Sequence, residues 1–261
     1  MNYEARRQAI LDQMEENSLL ILYSGENVHR NADAYYPFEE NKHFFYLTGL
    51  RRENMALVMK KVDGSCATVL YIPQADPGAE RWTGKMVTVE EAKAVSGIQD
   101  VRFTQRFDAQ MQYMLNGSDI RVCYFDCYRN QLSDLPDYNL AKARQFAADF
   151  PGISIRNLWR MAAKLRMQKD PDEIEKISQA IAVTRQGLEE VMSTLKPGMK
   201  EYQAQANYEH VLYYQGTEGP SFPTIAGSGK NGCMLHYETN RDTCQDGTLL
   251  LLDLGTRVDG Y

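Results

Sequence analysis

The residue types best suited to chemistry are concentrated in residues 222–261. A glycine-rich run at residues 227–232 leads to a lone histidine, His236, and an apolar run at residues 248–252 ends directly in Asp253. A neutral imidazole can donate hydrogen bonds and transfer protons near neutral pH. A carboxylate held at the end of a buried strand can ligate a hard divalent cation. His236 and Asp253 are therefore the first candidates for a catalytic or metal-binding site.

Each candidate also has a plain structural interpretation. Asp253 is consistent with a strand-end carboxylate that caps a turn, and His236 with a packed or surface histidine. Turn signals at Asp246-Gly247 and Asp259-Gly260 predict that the runs on either side of Asp253 are neighbouring strands of a hairpin. That arrangement would place Asp253 at the end of the first strand, just before the connection to the second.

The glycine run does not match a phosphate-binding loop. Such a loop needs a glycine five residues before its final Gly-Lys pair and a serine or threonine after the lysine. Thr224 and Asn231 occupy those two positions here. The run is better interpreted as a tight turn in which backbone segments approach closely.

The strings GSGKNGCMLHY and DGTLLLLDLGTRVDGY resemble the Xaa-Pro aminopeptidases (aminopeptidase P). These metallopeptidases remove an N-terminal residue that precedes proline, and they share a two-domain plan with prolidase and creatinase. The resemblance implies that Asp253 is the first ligand of a two-metal centre, usually Mn²⁺. It also implies that His236 lies beside the metals and contacts the substrate, a peptide with proline at its second position.

The family supplies four further metal ligands after the position of Asp253, and residues 1–261 contain none of them. A single carboxylate cannot hold two Mn²⁺ ions, so we expect this chain alone to be inactive and to bind the metal weakly. In the whole enzyme the two ions would lower the pKa of a bridging water, and the resulting hydroxide would attack the scissile carbonyl.

Two residues nearer the N-terminus also match family positions. Residues 36–49 contain a YPF…N…F-Y-L-TG pattern similar to that of the family's N-terminal domain, and as an aromatic cluster the stretch predicts core packing. Trp82, expected in a loop, resembles the tryptophan that reaches the active site of a neighbouring subunit, and Asp33 matches a position near that interface. Phe222 stands where related bacterial enzymes have a tyrosine.

The composition is that of an ordinary soluble globular protein. A net charge of -6 without a Lys/Arg cluster argues against a nucleic-acid partner. The polar N-terminus lacks a signal peptide, and no apolar run approaches the roughly 20 residues that span a bilayer. Five scattered cysteines predict reduced thiols. We therefore expect a cytoplasmic protein with no membrane partner.

Alternating helix and strand patterns predict an α/β fold with a mixed sheet. The expected helices cover residues 3–16, 88–97, 105–115, 137–149, 171–195 and 200–215, and the expected strands 18–23, 55–61, 66–72 and 120–125. The family resemblance assigns residues 1–165 to a creatinase-like N-terminal domain. It assigns residues 166–261 to the first part of a pita-bread catalytic domain.

Two other interpretations stay open. The chain could be a non-catalytic truncated homologue that acts as a folding or association module, or a prolidase or creatinase relative. An unfinished sheet exposes strand edges that tend to pair with another chain, which predicts a homo-oligomer. The tryptophan loop and the NGCMLHY string favour aminopeptidase P over the relatives.

Overall fold

The computed structural model describes residues 1–261, which form two compact units. One unit is Asn2–Gln168, and the other is Lys169–Tyr261 together with Met1. The division predicted from the sequence, between residues 165 and 166, lies near the start of the second unit. None of the helices is both long and apolar enough to cross a lipid bilayer.

The N-terminal unit alternates strands and helices. Its strands are β1 Ser18–Tyr23, β2 His29–Asn31, β3 Ala34–Tyr35, β4 Ala56–Val62, β5 Ser65–Ile72, β6 Val101–Phe103, β7 Val122–Phe125 and β8 Ser154–Asn157. Its helices are α1 Tyr3–Gln13, α2 Lys42–Thr48, α3 Pro77–Thr83, α4 Val89–Ser96, α5 Phe107–Gly117, α6 Tyr138–Asp149 and α7 Trp159–Met167.

Six of these strands form one sheet in the order β6-β5-β4-β1-β7-β8. β1 pairs antiparallel with β4 and parallel with β7, so the sheet is mixed, as the sequence predicts. The β4–β5 hairpin turns at Asp63-Gly64, where both residues have positive φ. This confirms the hairpin predicted from the Asp-Gly signal.

Helices cover both faces of the sheet. Successive residues of β1 point to opposite faces, so the strand contributes side chains to both cores. Leu20 and Leu22 lie in a core with residues of α1, α2 and α7, whereas Leu19 and Ile21 lie in a second core with residues of α5 and α6. β1 is therefore apolar at almost every position, as expected for a central strand buried on both faces.

The C-terminal unit contains α8 Pro171–Thr194, α9 Glu201–Tyr214, β9 Ile225–Ser228 and β10 Leu250–Asp253. α8 begins as the sequence predicts, since the Asp170 side chain accepts from Glu173 N at 3.0 Å and the Glu173 side chain accepts from Asp170 N at 2.9 Å. Helices α8 and α9 pack together around a small core formed by Val191, Ala204, Tyr208 and Leu212.

The predicted hairpin around Asp253 is wrong. β10 pairs antiparallel with β9, which lies earlier in the chain, and the segment after Asp253 forms only an isolated bridge between Pro220 and Thr256. β10 is also not a buried strand, because its residues alternate between half-buried and exposed. The apolar run therefore reflects one packed face and one open face.

Candidate active site

Asp253 lies on the open face of the two-stranded sheet. Leu250 and Leu252 of β10 pack against the core between α8 and α9, as does Leu254. Alternation along the strand places Leu251 and Asp253 on the opposite face. Both are exposed, and the Asp253 carboxylate makes no hydrogen bond or ion pair within the chain. The strand therefore fixes the backbone of Asp253 and leaves its carboxylate accessible to a ligand.

A glycine-rich 3₁₀ turn at Gly229–Cys233 crosses the same face. A Cβ at Gly232 would lie 3.2 Å from the Leu251 Cβ, and a Cβ at Gly227 would lie 3.0 Å from the Asn231 backbone. Both positions favour glycine, because a Cβ there would be tighter than most real contacts and its neighbours would have to shift by a few tenths of an ångström. The tight turn predicted from the sequence is confirmed. The loop that contains His236 begins at this turn, on the same face of the sheet as Asp253.

His236 follows this turn in a loop without helix or strand. Its side chain is exposed, and its imidazole makes no hydrogen bond to the protein. The loop ends at Asn240, which is buried and has a φ of 48°. The Asn240 side chain accepts from Ala226 N at 3.0 Å and donates to Thr224 O at 2.7 Å, so it ties this end of the loop to β9.

A buried carboxylate beneath the loop was not predicted from the sequence. Glu201, the first residue of α9, is fully buried. Its oxygens accept hydrogen bonds from the backbone N–H groups of Ser228 and Asp242, at 2.7 and 2.8 Å, and from the Asn231 amide at 3.0 Å and the Tyr237 hydroxyl at 2.7 Å. An acidic residue in the first turn of a helix is usually a solvent-exposed partner of the helix dipole, so its type gave no signal of burial.

The electrostatics of Glu201 follow from these contacts. Burial raises the pKa of its carboxyl group, but the hydrogen bonds from Ser228, Asn231, Tyr237 and Asp242 outweigh that effect and hold the pKa below its usual value. Glu201 therefore stays a carboxylate that only accepts hydrogen bonds, and it does not act as a proton donor near neutral pH.

Asp33 and Trp82 belong to the N-terminal unit, whereas His236 and Asp253 belong to the C-terminal unit. Asp33 is exposed in the turn between β2 and β3. Trp82 is 90% exposed, and it lies on α3 instead of in the predicted loop. The helix signal was present in the sequence, because Asp76 caps the helix and Pro77 occupies its first turn.

The residues of this chain do not by themselves fit a two-metal centre. No group of three or more His, Cys, Asp or Glu side chains could hold a metal ion. Hard divalent cations such as Mg²⁺ and Ca²⁺ take six or more oxygen ligands. Asp253 supplies a ligand of the right chemistry in an accessible position, but only one.

Comparison with known proteins defines the class. Residues 3–124 match the family described as "Aminopeptidase P, N-terminal domain", and residues 175–261 match "Metallopeptidase family M24". The order of the two matches is the order of the two units of the structure. Together the two matches cover most of the chain, and its mixed α/β fold is that of aminopeptidase P, in which a creatinase-like N-terminal domain is followed by a pita-bread domain.

Individual relatives agree with that assignment. The chain is 31% identical to the Xaa-Pro aminopeptidase of Escherichia coli over 99% of its own length and 59% of the relative's. It superposes on proline aminopeptidase P II from Yersinia pestis with a TM-score of 0.86 and 28% identity, covering all of this chain and 60% of the other.

A third relative is Zn-substituted E. coli aminopeptidase P in complex with product. The TM-score is 0.84 and the identity 28%, again over all of this chain and 60% of that structure. The chain thus spans about 60% of the length of each of these three relatives.

Proposed function

We propose that this protein is a Xaa-Pro aminopeptidase, which hydrolyses the bond between an N-terminal residue and a following proline. The observation that carries the proposal is the match to Xaa-Pro aminopeptidases over essentially the whole chain, in sequence and in structure. The description of the family that matches residues 3–124 also favours aminopeptidase P over prolidase or creatinase relatives.

In this proposal Asp253 is one ligand of a centre that holds two Mn²⁺ ions. Its exposed carboxylate, fixed on the open face of β10, supports the role. The other ligands have to come from outside residues 1–261, because no cluster of suitable side chains lies within them. His236 would contact the substrate, which its exposure in the adjacent loop allows.

Trp82 and Asp33 are proposed to bind substrate in the active site of a neighbouring subunit of a homo-oligomer. The 90% exposure of Trp82 supports this role, since a large aromatic side chain left in water is a common feature of contact surfaces. Trp82→Ala should lower the mass measured by light scattering if this residue holds subunits together. We also propose a cytoplasmic location, which the composition favours.

The metal and substrate proposals are tested separately. Calorimetric titration with Mn²⁺ should detect no tight binding to residues 1–261. A chain that continues to the length of these relatives, called the full-length gene product below, should bind two ions. The full-length product should release the first residue of an Xaa-Pro peptide and leave a matched Xaa-Ala peptide intact. Tight stoichiometric binding and turnover by residues 1–261 would mean that other side chains complete the site.

A second candidate function is that of a non-catalytic association module. Leu249 is 88% exposed and Leu251 41% exposed on the open face of β10, and the outer edge of this strand makes no backbone hydrogen bonds. Exposed strand edges and apolar patches favour pairing with another chain. Concentration-dependent association that Leu251→Lys abolishes, together with an absence of peptidase activity in the full-length product, would favour this candidate.

A further inference from the structure

We propose that Glu201 is a positioning residue for His236, and that its buried carboxylate fixes the loop that carries the imidazole. The inference rests on the substrate-binding role of His236 in the proposed function. It concerns a residue of α9 that lies far from His236 in the sequence.

The four donors to Glu201 are distributed along the whole loop segment. Ser228 N and the Asn231 amide donate from the residues before the loop, at 2.7 and 3.0 Å. The Tyr237 hydroxyl donates at 2.7 Å from the residue directly after His236. Asp242 N donates at 2.8 Å from the residues after the loop. A single carboxylate therefore joins both ends of the loop and its centre.

All of the acceptor capacity of Glu201 is used in this way. A carboxylate offers about four lone-pair positions, and Glu201 receives four donors, two on each oxygen. Because the group is fully buried, the loss of a donor cannot be replaced by water without a rearrangement. The loop conformation and the Glu201 contacts are thus coupled.

Apolar packing does not hold the loop in place. Leu235 is 89% exposed and Met234 is 47% exposed, and His236 itself makes no hydrogen bond to the protein. The fixed contact nearest to His236 is the bond between Tyr237 and Glu201. We therefore assign the orientation of the segment around His236 to this polar anchor.

Further hydrogen bonds link the residues that surround the Glu201 carboxylate. The Asn231 amide also lies 2.7 Å from Asp242 Oδ2 and 3.0 Å from the Tyr237 hydroxyl. In addition, Glu201 N donates to Asp242 O at 3.0 Å, so the start of α9 holds residue 242 through its backbone as well. Removal of the Tyr237 hydroxyl would leave the Asn231–Asp242 and Glu201–Asp242 bonds intact. It would remove the contacts of the hydroxyl with Glu201, with the Asn231 amide and with Arg241 N, and so release the part of the loop next to His236.

The test is NMR relaxation of the loop and of the His236 ring in the 261-residue chain. Four histidines are present, and the signal of His236 can be assigned from its loss in His236→Gln. The variants are Tyr237→Phe and Glu201→Gln. The matched control is Asn207→Ala, which removes a 2.8 Å hydrogen bond from α9 to Thr194 but touches no residue of the loop.

We expect the backbone order parameters of residues 234–239 to fall from about 0.85 to below about 0.6 in Tyr237→Phe, with a shifted His236 ring signal. Asn207→Ala should leave both unchanged. If Glu201→Gln does not fold, Tyr237→Phe alone decides. Unchanged order parameters in Tyr237→Phe, or equal changes in Asn207→Ala, would overturn the proposal.

This readout does not depend on turnover. A full-length product without peptidase activity would contradict the proposed function and leave the anchor intact. A rigid loop in Tyr237→Phe would contradict the anchor and leave the peptidase proposal intact. In an active enzyme, Tyr237→Phe should lower kcat/KM while the metal content stays unchanged.

Discussion

Tyr208 of α9 crosses Gly187 of α8 so closely that a Cβ at position 187 would lie 2.5 Å from Cδ2 of the tyrosine ring. Tyr208 is fully buried, so its ring cannot swing away. The two helices can therefore pack at this distance only because residue 187 has no side chain. This contact forms part of the core on which β10, and with it Asp253, is supported.

Gly187→Ala should destabilise the C-terminal unit. Overpacking of a core costs about 1–3 kcal/mol, and the better helix propensity of alanine returns about 1 kcal/mol, so we expect a net loss of up to about 2 kcal/mol. The measurement is hydrogen exchange of the α8 and α9 amides, which should accelerate by up to about 30-fold.

Gly117→Ala is the matched control for that substitution. Gly117 is the last residue of α5, and a Cβ there would meet nothing within 4 Å. Exchange in α5 should be unchanged or slightly slower. Equal effects of the two substitutions would show that the close approach to Tyr208 has no energetic consequence.

The buried pair of His43 and Asp126 should make the N-terminal unit sensitive to acid. His43 Nδ1 lies 3.0 Å from Asp126 Oδ2, and both side chains are nearly inaccessible. Burial raises the pKa of Asp126, but hydrogen bonds from His43 and Asn41 outweigh it and leave the pKa below the usual value. A lowered pKa means that the carboxylate stabilises the fold above about pH 4, and that this stability is lost as the pH falls through the folded-state pKa.

Fluorescence can follow this effect, because Trp82 and Trp159 both lie in the N-terminal unit. We expect Asp126→Asn to lower the free energy of unfolding at pH 7 by about 1–3 kcal/mol, with a smaller difference from the unsubstituted protein below about pH 4. Asp119→Asn, which removes an exposed pair with Arg121, should have little effect. A difference that grows toward acid pH would contradict the assignment.

The cysteines should react with iodoacetamide in an order set by exposure and pKa. Cys66 and Cys233 are exposed and should react first, whereas Cys123 and Cys244 are buried. Burial, together with Asp126 and Asp137, raises the pKa of Cys127 to about 11, which leaves roughly 100-fold less thiolate than an ordinary cysteine. Mass spectrometry of timed samples measures the order, and a Cys127 as fast as Cys233 would contradict it.

Asp253→Asn should abolish activity without changing the stability of the fold. The carboxylate is exposed and makes no contact within the chain, so its replacement should leave the unfolding midpoint of residues 1–261 unchanged. In the full-length product the same change should abolish metal-dependent activity. Asp246→Asn, at an exposed aspartate in the preceding turn, is the control for both measurements. A large loss of stability in Asp253→Asn would indicate a structural role.

Elements with strong local signals could be predicted from the sequence. The capping residues Thr88 and Asp170 mark α4 and α8, and Asp63-Gly64 marks the β4–β5 turn. The sequence pattern does not predict α2, because its aromatic run indicates only core packing, although Asn41 caps the helix and Gly49 ends it with positive φ. That interpretation is confirmed for Phe44 and wrong for the exposed Tyr36.

The rest of the fold and of the candidate site depends on contacts between residues that are far apart in the sequence. Nothing in the residues around β10 indicates that its partner is β9 instead of the following segment, since both pairings satisfy the local pattern. The hydrogen bonds of Glu201 could not be predicted from the sequence either, because their donors come from residues 228–242. The roles of Asp253, His236, Trp82 and Asp33 stay predictions until they are measured.

The most direct test of the central proposal is peptide hydrolysis by the full-length gene product in the presence of Mn²⁺. We predict release of the first residue from an Xaa-Pro peptide, no release from the matched Xaa-Ala peptide, and loss of activity in Asp253→Asn but not in Asp246→Asn. Equal cleavage of both peptides, or full activity of Asp253→Asn, would contradict the account.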